Sequence, residues 1–119
     1  MSMSASLTIK NNTGSIIKFI SIDKVNDDAT FSVNPPVNTN IANGASVQIA
    51  MGNSSVFFAP KGVGADCKFM CQSNFEAGQV YFSDPAVGSP TFNYGNESVF
   101  HYDKTDDGGN AYTVTVSLV

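Results

Sequence analysis

Apolar and polar residues alternate with a period of two along much of the chain. In the C-terminal segment AYTVTVSLV, every second residue from Tyr112 to Leu118 is apolar and the residues between them are Thr or Ser. The segments SVQIAM and SLTIK follow the same scheme. This is the period of a β-strand with one buried face. No stretch of useful length shows a helical period, so the pattern predicts an all-β protein.

Turn-forming segments separate these apolar runs at short intervals, among them NNTGS, NPPVNTN, SDPAVGSP and KTDDGGN. NNTGS predicts a hairpin turn between Ile9 and Ile16. The spacing predicts a single-domain antiparallel β-sandwich of about nine or ten short strands over residues 1–119. The strands are expected near 5–10, 16–23, 30–33, 45–51, 55–59, 67–72, 79–83, 91–94, 98–103 and 111–119.

Charge narrows the range of partners. Charged residues make up 13% of the chain, the formal net charge is -4, and all six basic residues are scattered lysines. Nucleic-acid binding needs a concentrated basic surface, so it is not expected. No apolar run approaches the length of a transmembrane segment, and the N-terminus lacks the features of a classical signal peptide. We expect a soluble protein, either cytoplasmic or secreted by another route.

Catalytic chemistry has little support in the sequence. His101 is the only histidine, and no Ser or Cys stands in a recognisable nucleophile motif near it. Cys67 and Cys71 would lie roughly 13 Å apart on one strand, too far for a disulfide, and are expected to be two buried apolar residues. The protein is therefore predicted not to be an enzyme and to need no cofactor.

Calcium is the one metal that the sequence brings into consideration. The segment DKTDDGGN begins like a calcium-binding loop, with Asp103, Asp106 and Asp107 as candidate ligands. The match ends there, because the twelfth position would be Val114 instead of a bidentate Glu. An acidic hairpin loop whose glycines adopt positive φ is the alternative.

The tyrosines point to a binding surface. All four lie in the last third of the chain, beside Asp and Asn residues at predicted strand ends. An aromatic face with fixed hydrogen-bonding groups suits a neutral polar ligand such as a sugar or a lipid headgroup. The candidate ligand-binding residues are Tyr81, Asp84, Asn93, Tyr94, Tyr102, Asp103 and Asn110.

The order of four segments resembles that of the aegerolysin-like proteins. An N-terminal strand leads into NNTGS, and IANGASVQI, GQVYFSDPAVGSPTF and DGGNAYTVTVSLV follow. The resemblance implies a small acidic β-sandwich that binds particular membrane lipids and in some members acts with a larger partner to form pores. Within YFSDPAVGSPTF, Tyr81, Asp84, Pro85 and Gly88 carry over by position. The tryptophans with which the family engages membranes are absent, since the chain contains none.

Two functional hypotheses remain. The first is a non-enzymatic binding module for a carbohydrate or lipid headgroup on a cell surface, lectin-like or cytolysin-like, and multivalent through oligomers. The second is a self-assembling structural or adhesive protein without a small-molecule site. Low charge and exposed sheet edges favour self-association in that case.

Overall fold

The computed structural model describes residues 2–25, 30–54, 62–85 and 87–119, and within these ranges the chain forms ten β-strands. They are β1 (Ser2–Asn12), β2 (Ile17–Lys24), β3 (Thr30–Val33), β4 (Asn40–Ile41), β5 (Ser46–Ser54), β6 (Val63–Cys71), β7 (Ala77–Asp84), β8 (Thr91–Gly95), β9 (Phe100–Gly108) and β10 (Ala111–Leu118). Nine of the predicted strands are confirmed, the one at 30–33 with the predicted ends and the other eight with shifted ends. The tenth, at 55–59, lies outside the described residues, and β4 was not predicted.

The strands form two five-stranded sheets that pack face to face. Sheet A has the order β3-β5-β1-β10-β9 and sheet B the order β4-β2-β6-β7-β8. β1 and β10 are parallel, and the other strand pairs of the described residues are antiparallel. The predicted all-β sandwich is confirmed, with one parallel pair in the middle of sheet A. In the described part of the chain, no helix is long and apolar enough to cross a membrane.

The core lies between the sheets and takes every second residue of the strands. Phe19, Phe69, Phe82 and Phe100 are its largest fully buried side chains, and burial of each contributes about 1.5–3 kcal/mol. The cysteines on β6 belong to this core, and both are buried and free. Their predicted burial is confirmed, but Cys71 is not purely apolar, because its Sγ also forms hydrogen bonds of 3.3 Å with the hydroxyls of Ser15 and Ser73.

The predicted hairpin at NNTGS is wrong, because this segment crosses from sheet A to sheet B. β1 pairs with β5 and β10, whereas β2 pairs with β4 and β6. The fully buried Asn11 holds the crossing. Its Nδ2 donates to the carbonyls of Ser15 (2.6 Å) and Ile41 (2.8 Å), and its Oδ1 accepts from the Thr13 backbone N–H (3.0 Å) and hydroxyl (2.7 Å).

The acidic segment at 103–110 is mostly strand, not loop. β9 continues to Gly108, and Asp107 is an extra residue in the β9–β10 register. Only Gly109 and Asn110 form the turn, with φ values of 63° and 60°. Two central residues at positive φ are what a two-residue type I′ hairpin requires.

Asn11→Ala should destabilise the fold by about 3 kcal/mol, because it leaves several buried backbone groups without partners. Urea unfolding of both proteins measures the difference. Asn12→Ala changes the exposed neighbour on the same strand and should stay within about 0.5 kcal/mol of wild type. Equal losses from the two variants would contradict the assigned role of Asn11.

Candidate functional site

An aromatic cluster closes the side of the sandwich where β8 and β9 are the edge strands. The rings of Tyr94 on β8 and Tyr102 on β9 stack with centroids 4.7 Å apart and an interplanar angle of 10°. Phe92 lies beside Tyr94, and the Lys104 ammonium lies 4.8 Å from the Phe92 centroid. Both tyrosines are half-buried. The pair therefore joins the two sheets, and its stacked faces are not free for a ligand.

The Tyr102 hydroxyl links sheet A to two strands of sheet B. It accepts a hydrogen bond from the Gln79 backbone N–H (3.1 Å) and donates one to the Gly95 carbonyl (2.7 Å). Burial raises the pKa of Tyr102 to about 12. Gly78 makes this possible, because a Cβ at that position would collide with the Phe69 ring and lie 2.6 Å from the Tyr102 hydroxyl oxygen.

A second tyrosine faces outward on sheet B. Tyr81 lies directly between Asp66 on β6 and Asn93 on β8 in the strand register. Asp66 is held in place, since its Oδ1 accepts a 2.7 Å hydrogen bond from Gln79 Nε2. Tyr81 is half-buried, so part of its ring remains open to solvent. The three side chains combine an aromatic surface, a carboxylate and an amide in one row.

A shallow depression of about 240 Å³ adjoins this row on the same face. Gly95 opens its floor, because a Cβ there would lie 2.9 Å from Gln79 Cβ. A bulge in β2 presents Ile20 at its margin, and Asn96 is fixed by donating to the Ala77 carbonyl (2.8 Å). The lining residues are Ile20, Lys68, Ala77, Gly78, Gln79, Gly95 and Asn96.

Asp84 lies inside the sandwich, not on a binding surface. It occupies an inward position at the end of β7 and is 4% exposed. Its Oδ2 is buried and has no hydrogen-bond partner among the residues that the structure describes. Burial raises the pKa of Asp84 above its ordinary value of 3.8, because the charged carboxylate loses its hydration. Asp84 is therefore not available to a ligand on the outer face.

The seven predicted ligand-binding residues do not form one site. Tyr81 and Asn93 are neighbours on the outer face of sheet B. Asp103 is exposed on the opposite side of the sandwich, paired with Thr115 in sheet A. Asn110 stands in the β9–β10 turn, where its Nδ2 donates to the Ser4 carbonyl (3.4 Å).

The candidate calcium ligands also have separate environments. Asp106 Oδ1 accepts from the Gly108 N–H (2.9 Å), and Asp107 Oδ2 accepts from the Thr113 hydroxyl (2.6 Å). Asp103 pairs with Thr115, whereas Asp106 pairs with the inward-facing Tyr112. Among the described residues, no three His, Cys, Asp or Glu side chains are grouped so as to hold a metal ion.

Sequence reasoning missed the polar half of the outer face and one aromatic residue. The pairing of β6 with β7 brings Asp66, Lys68 and Gln79 close to Tyr81, and no local sequence motif predicts that pairing. Phe75, in the β6–β7 turn, is 78% exposed and adopts a positive φ of 58°. The neighbouring Asn74 is a residue type that is common in turns, so it indicates a turn but not an exposed aromatic side chain.

Tyr102→Phe should lower the free energy of unfolding by about 1–2 kcal/mol, because Gln79 N–H and the Gly95 carbonyl both lose their partner. Chemical denaturation measures the loss. Tyr94→Phe keeps the stacked pair and removes a hydroxyl of the same cluster, so it should change stability by less than about 0.5 kcal/mol. A neutral Tyr102→Phe would contradict the sheet-linking role.

Asp84 should make the fold less stable as the pH rises. A carboxyl whose pKa is raised by folding makes its full contribution to stability when the pH is below the unfolded pKa of 3.8. That contribution is lost as the pH rises through the raised pKa of the folded protein. Relative to Asp84→Asn, wild type should lose stability in urea unfolding as the pH rises above 3.8 and through the raised pKa. Asp103→Asn removes the same charge from an exposed position and is the control. A wild-type minus Asp84→Asn difference that does not vary with pH would contradict this assignment.

Comparison with known proteins establishes the fold and leaves the family open. No family model and no curated protein sequence matches the chain. Solved structures do match, among them the crystal structure of IP-1A from Alcaligenes faecalis, with a TM-score of 0.70 and 16% sequence identity. The match covers 98% of this chain and 91% of IP-1A. At that identity the likeness shows a shared β-sandwich fold, and the aegerolysin-like resemblance stays a prediction.

Proposed function

We propose that the protein is a non-enzymatic binding module that recognises a neutral polar ligand, a carbohydrate or a membrane-lipid headgroup, on the outer face of sheet B. The observation that carries this proposal is the row of Asp66, Tyr81 and Asn93 beside the shallow depression. The apolar face of a sugar ring or a methylene group can lie on Tyr81. The hydroxyl groups of the ligand can form hydrogen bonds with the Asp66 carboxylate and the Asn93 amide.

The charge of this face supports a neutral ligand. The outward positions of the sheet B strands carry two lysines and two aspartates, namely Lys18, Lys68, Asp23 and Asp66. No sign dominates, so neither a polyanion nor a polycation gains from long-range attraction. The depression is open and shallow, which favours weak binding by each copy and stronger binding by several copies at once.

Tyr81→Thr tests the proposal, because it removes the ring and keeps a residue suited to a strand. We expect wild type to bind glycans on an array, or phospholipid vesicles, and the variant to bind at least about tenfold more weakly. Ser83→Ala, two residues along the same outward row of β7, should bind like wild type.

Wild type that binds neither glycans nor vesicles of varied composition would overturn the proposal. Binding that survives Tyr81→Thr would move the site away from sheet B. Sedimentation distinguishes the alternative of a self-assembling protein: concentration-dependent oligomers without any ligand binding favour it, and a monomer at high concentration argues against it.

A further inference from the structure

We infer, resting on the proposed function, that the ligand is an extended chain of neutral sugar rings and that Phe75 is its second stacking residue. Phe75 precedes β7 by two positions, and Tyr81 lies further along the same strand. The depression falls between them, because Ala77 and Gln79 line it. Along the chain, the two aromatic residues therefore lie on either side of the β7 residues that line the depression.

The backbone of Phe75 is unusual for its residue type. Of the described non-glycine residues with positive φ, three are asparagines, Asn38, Asn96 and Asn110, and the fourth is Phe75. Asparagine adopts this conformation readily, whereas it is unfavourable for a large side chain that forms no local hydrogen bonds. The residue is held there by the turn, in which its N–H donates to the Cys71 carbonyl (2.9 Å) and the Glu76 N–H donates to Asn74 Oδ1 (2.9 Å).

The side chain of Phe75 gains nothing from the core in return. It is 78% exposed, so its ring remains largely in water. An unfavourable φ and an exposed ring at one position both act against the stability of the isolated protein. Asparagine or glycine would suit this turn better. A binding role accounts for the aromatic residue at this place.

The spacing along β7 selects the class of ligand. From Ala77 to Tyr81 the strand advances roughly 13 Å, and Phe75 precedes Ala77 by two residues in the turn. One sugar ring or one lipid headgroup does not cover this distance, whereas a short chain of sugar rings does. Such a chain can lie on both aromatic residues and cross the depression between them.

The depression supplies polar contacts for the middle of such a chain. Lys68 contributes an ammonium group, and Gln79 is oriented by its bond to Asp66. Glycine at position 95 keeps the floor open, since a Cβ there would lie 2.9 Å from Gln79 Cβ. The internal rings of the ligand would therefore meet donors and acceptors between the two stacking residues.

The experiment measures affinity against chain length. Wild type, Phe75→Asn and Tyr81→Thr are titrated by calorimetry with chito-oligosaccharides and with β-1,3-gluco-oligosaccharides of one to six rings. For wild type we expect affinity to rise with length in at least one series. Phe75→Asn should bind the longest member about tenfold more weakly and the shortest members as wild type does.

Phe75→Asn also separates binding from folding. Because asparagine suits the positive φ, the melting temperature of the variant should be unchanged or should rise by roughly 2–4 °C, while its affinity for the longer oligosaccharides falls. Val87→Ala is the control, since Val87 is 85% exposed and follows β7 at its other end. It should leave the length dependence unchanged.

The outcomes distinguish this inference from the proposed function. If Phe75→Asn keeps the wild-type length dependence while Tyr81→Thr loses binding, the sheet B site stands and the role of Phe75 is overturned. If wild type binds vesicles and no oligosaccharide of either series, the extended-glycan ligand is overturned. If Tyr81→Thr binds as wild type does, the proposed site itself fails.

Discussion

The hydroxyl of Tyr102 forms the hydrogen bonds that join the two sheets on the side where β8 and β9 are the edge strands. The apolar contacts of the core hold the sheets together, but such contacts are not directional and permit sliding. A hydroxyl that must reach the Gln79 N–H and the Gly95 carbonyl at once permits one relative position. That position ties β7 to β8 at the point where Gly95 opens the depression. The shape of the outer face of sheet B beside the depression therefore depends on a hydrogen-bonded residue inside the sandwich.

Buried amides play the same part at the two ends of the sandwich. The Nδ2 group of Asn11, on β1, donates to the Ser15 carbonyl in the crossing into sheet B and to the Ile41 carbonyl on β4. Asn53, on β5, donates to the Gly62 carbonyl beside the start of β6 (2.8 Å). Each joins a strand of sheet A to the backbone of a segment that leads into or belongs to sheet B. A few directional bonds at the margins thus orient a core of apolar residues that could pack in several ways.

The alternating pattern was enough to predict the strands but not their partners. From Tyr112 to Leu118 the period of two is uninterrupted, and the strand is present as expected. NNTGS has the composition of a hairpin turn, yet the same residues serve a crossing between sheets, because a turn residue favours a local conformation and not a pairing. Tyr81 and Tyr102 look alike in the sequence. Only the sheet to which each strand belongs, and the face on which the side chain lies, places Tyr81 on an outer face and Tyr102 between the two sheets.

The candidate site was predictable in part for the same reason. Tyr81 and Asn93 were predicted from the sequence and lie on the outer face of sheet B. Asp84 was predicted with them, because a polar residue at the end of a strand suggests a surface group, but it occupies an inward position on β7. Asp66, Lys68 and Gln79 belong to the candidate site because strand pairing brings together residues that are far apart in the sequence. Phe75 could not be found, because its φ depends on the closing geometry of the turn and the register of β6 with β7.

The parallel pairing of β1 with β10 also bears on the order in which the fold assembles. Ser6 pairs with Ala111, so the centre of sheet A joins the first and last tenths of the chain. Closing so long a loop costs more entropy than closing the short turns of β6, β7 and β8, which are consecutive neighbours in sheet B. We expect these three strands to come together early and sheet A to be completed last. During synthesis on the ribosome, β1 and β5 would wait with an unpaired edge until the final strand emerged.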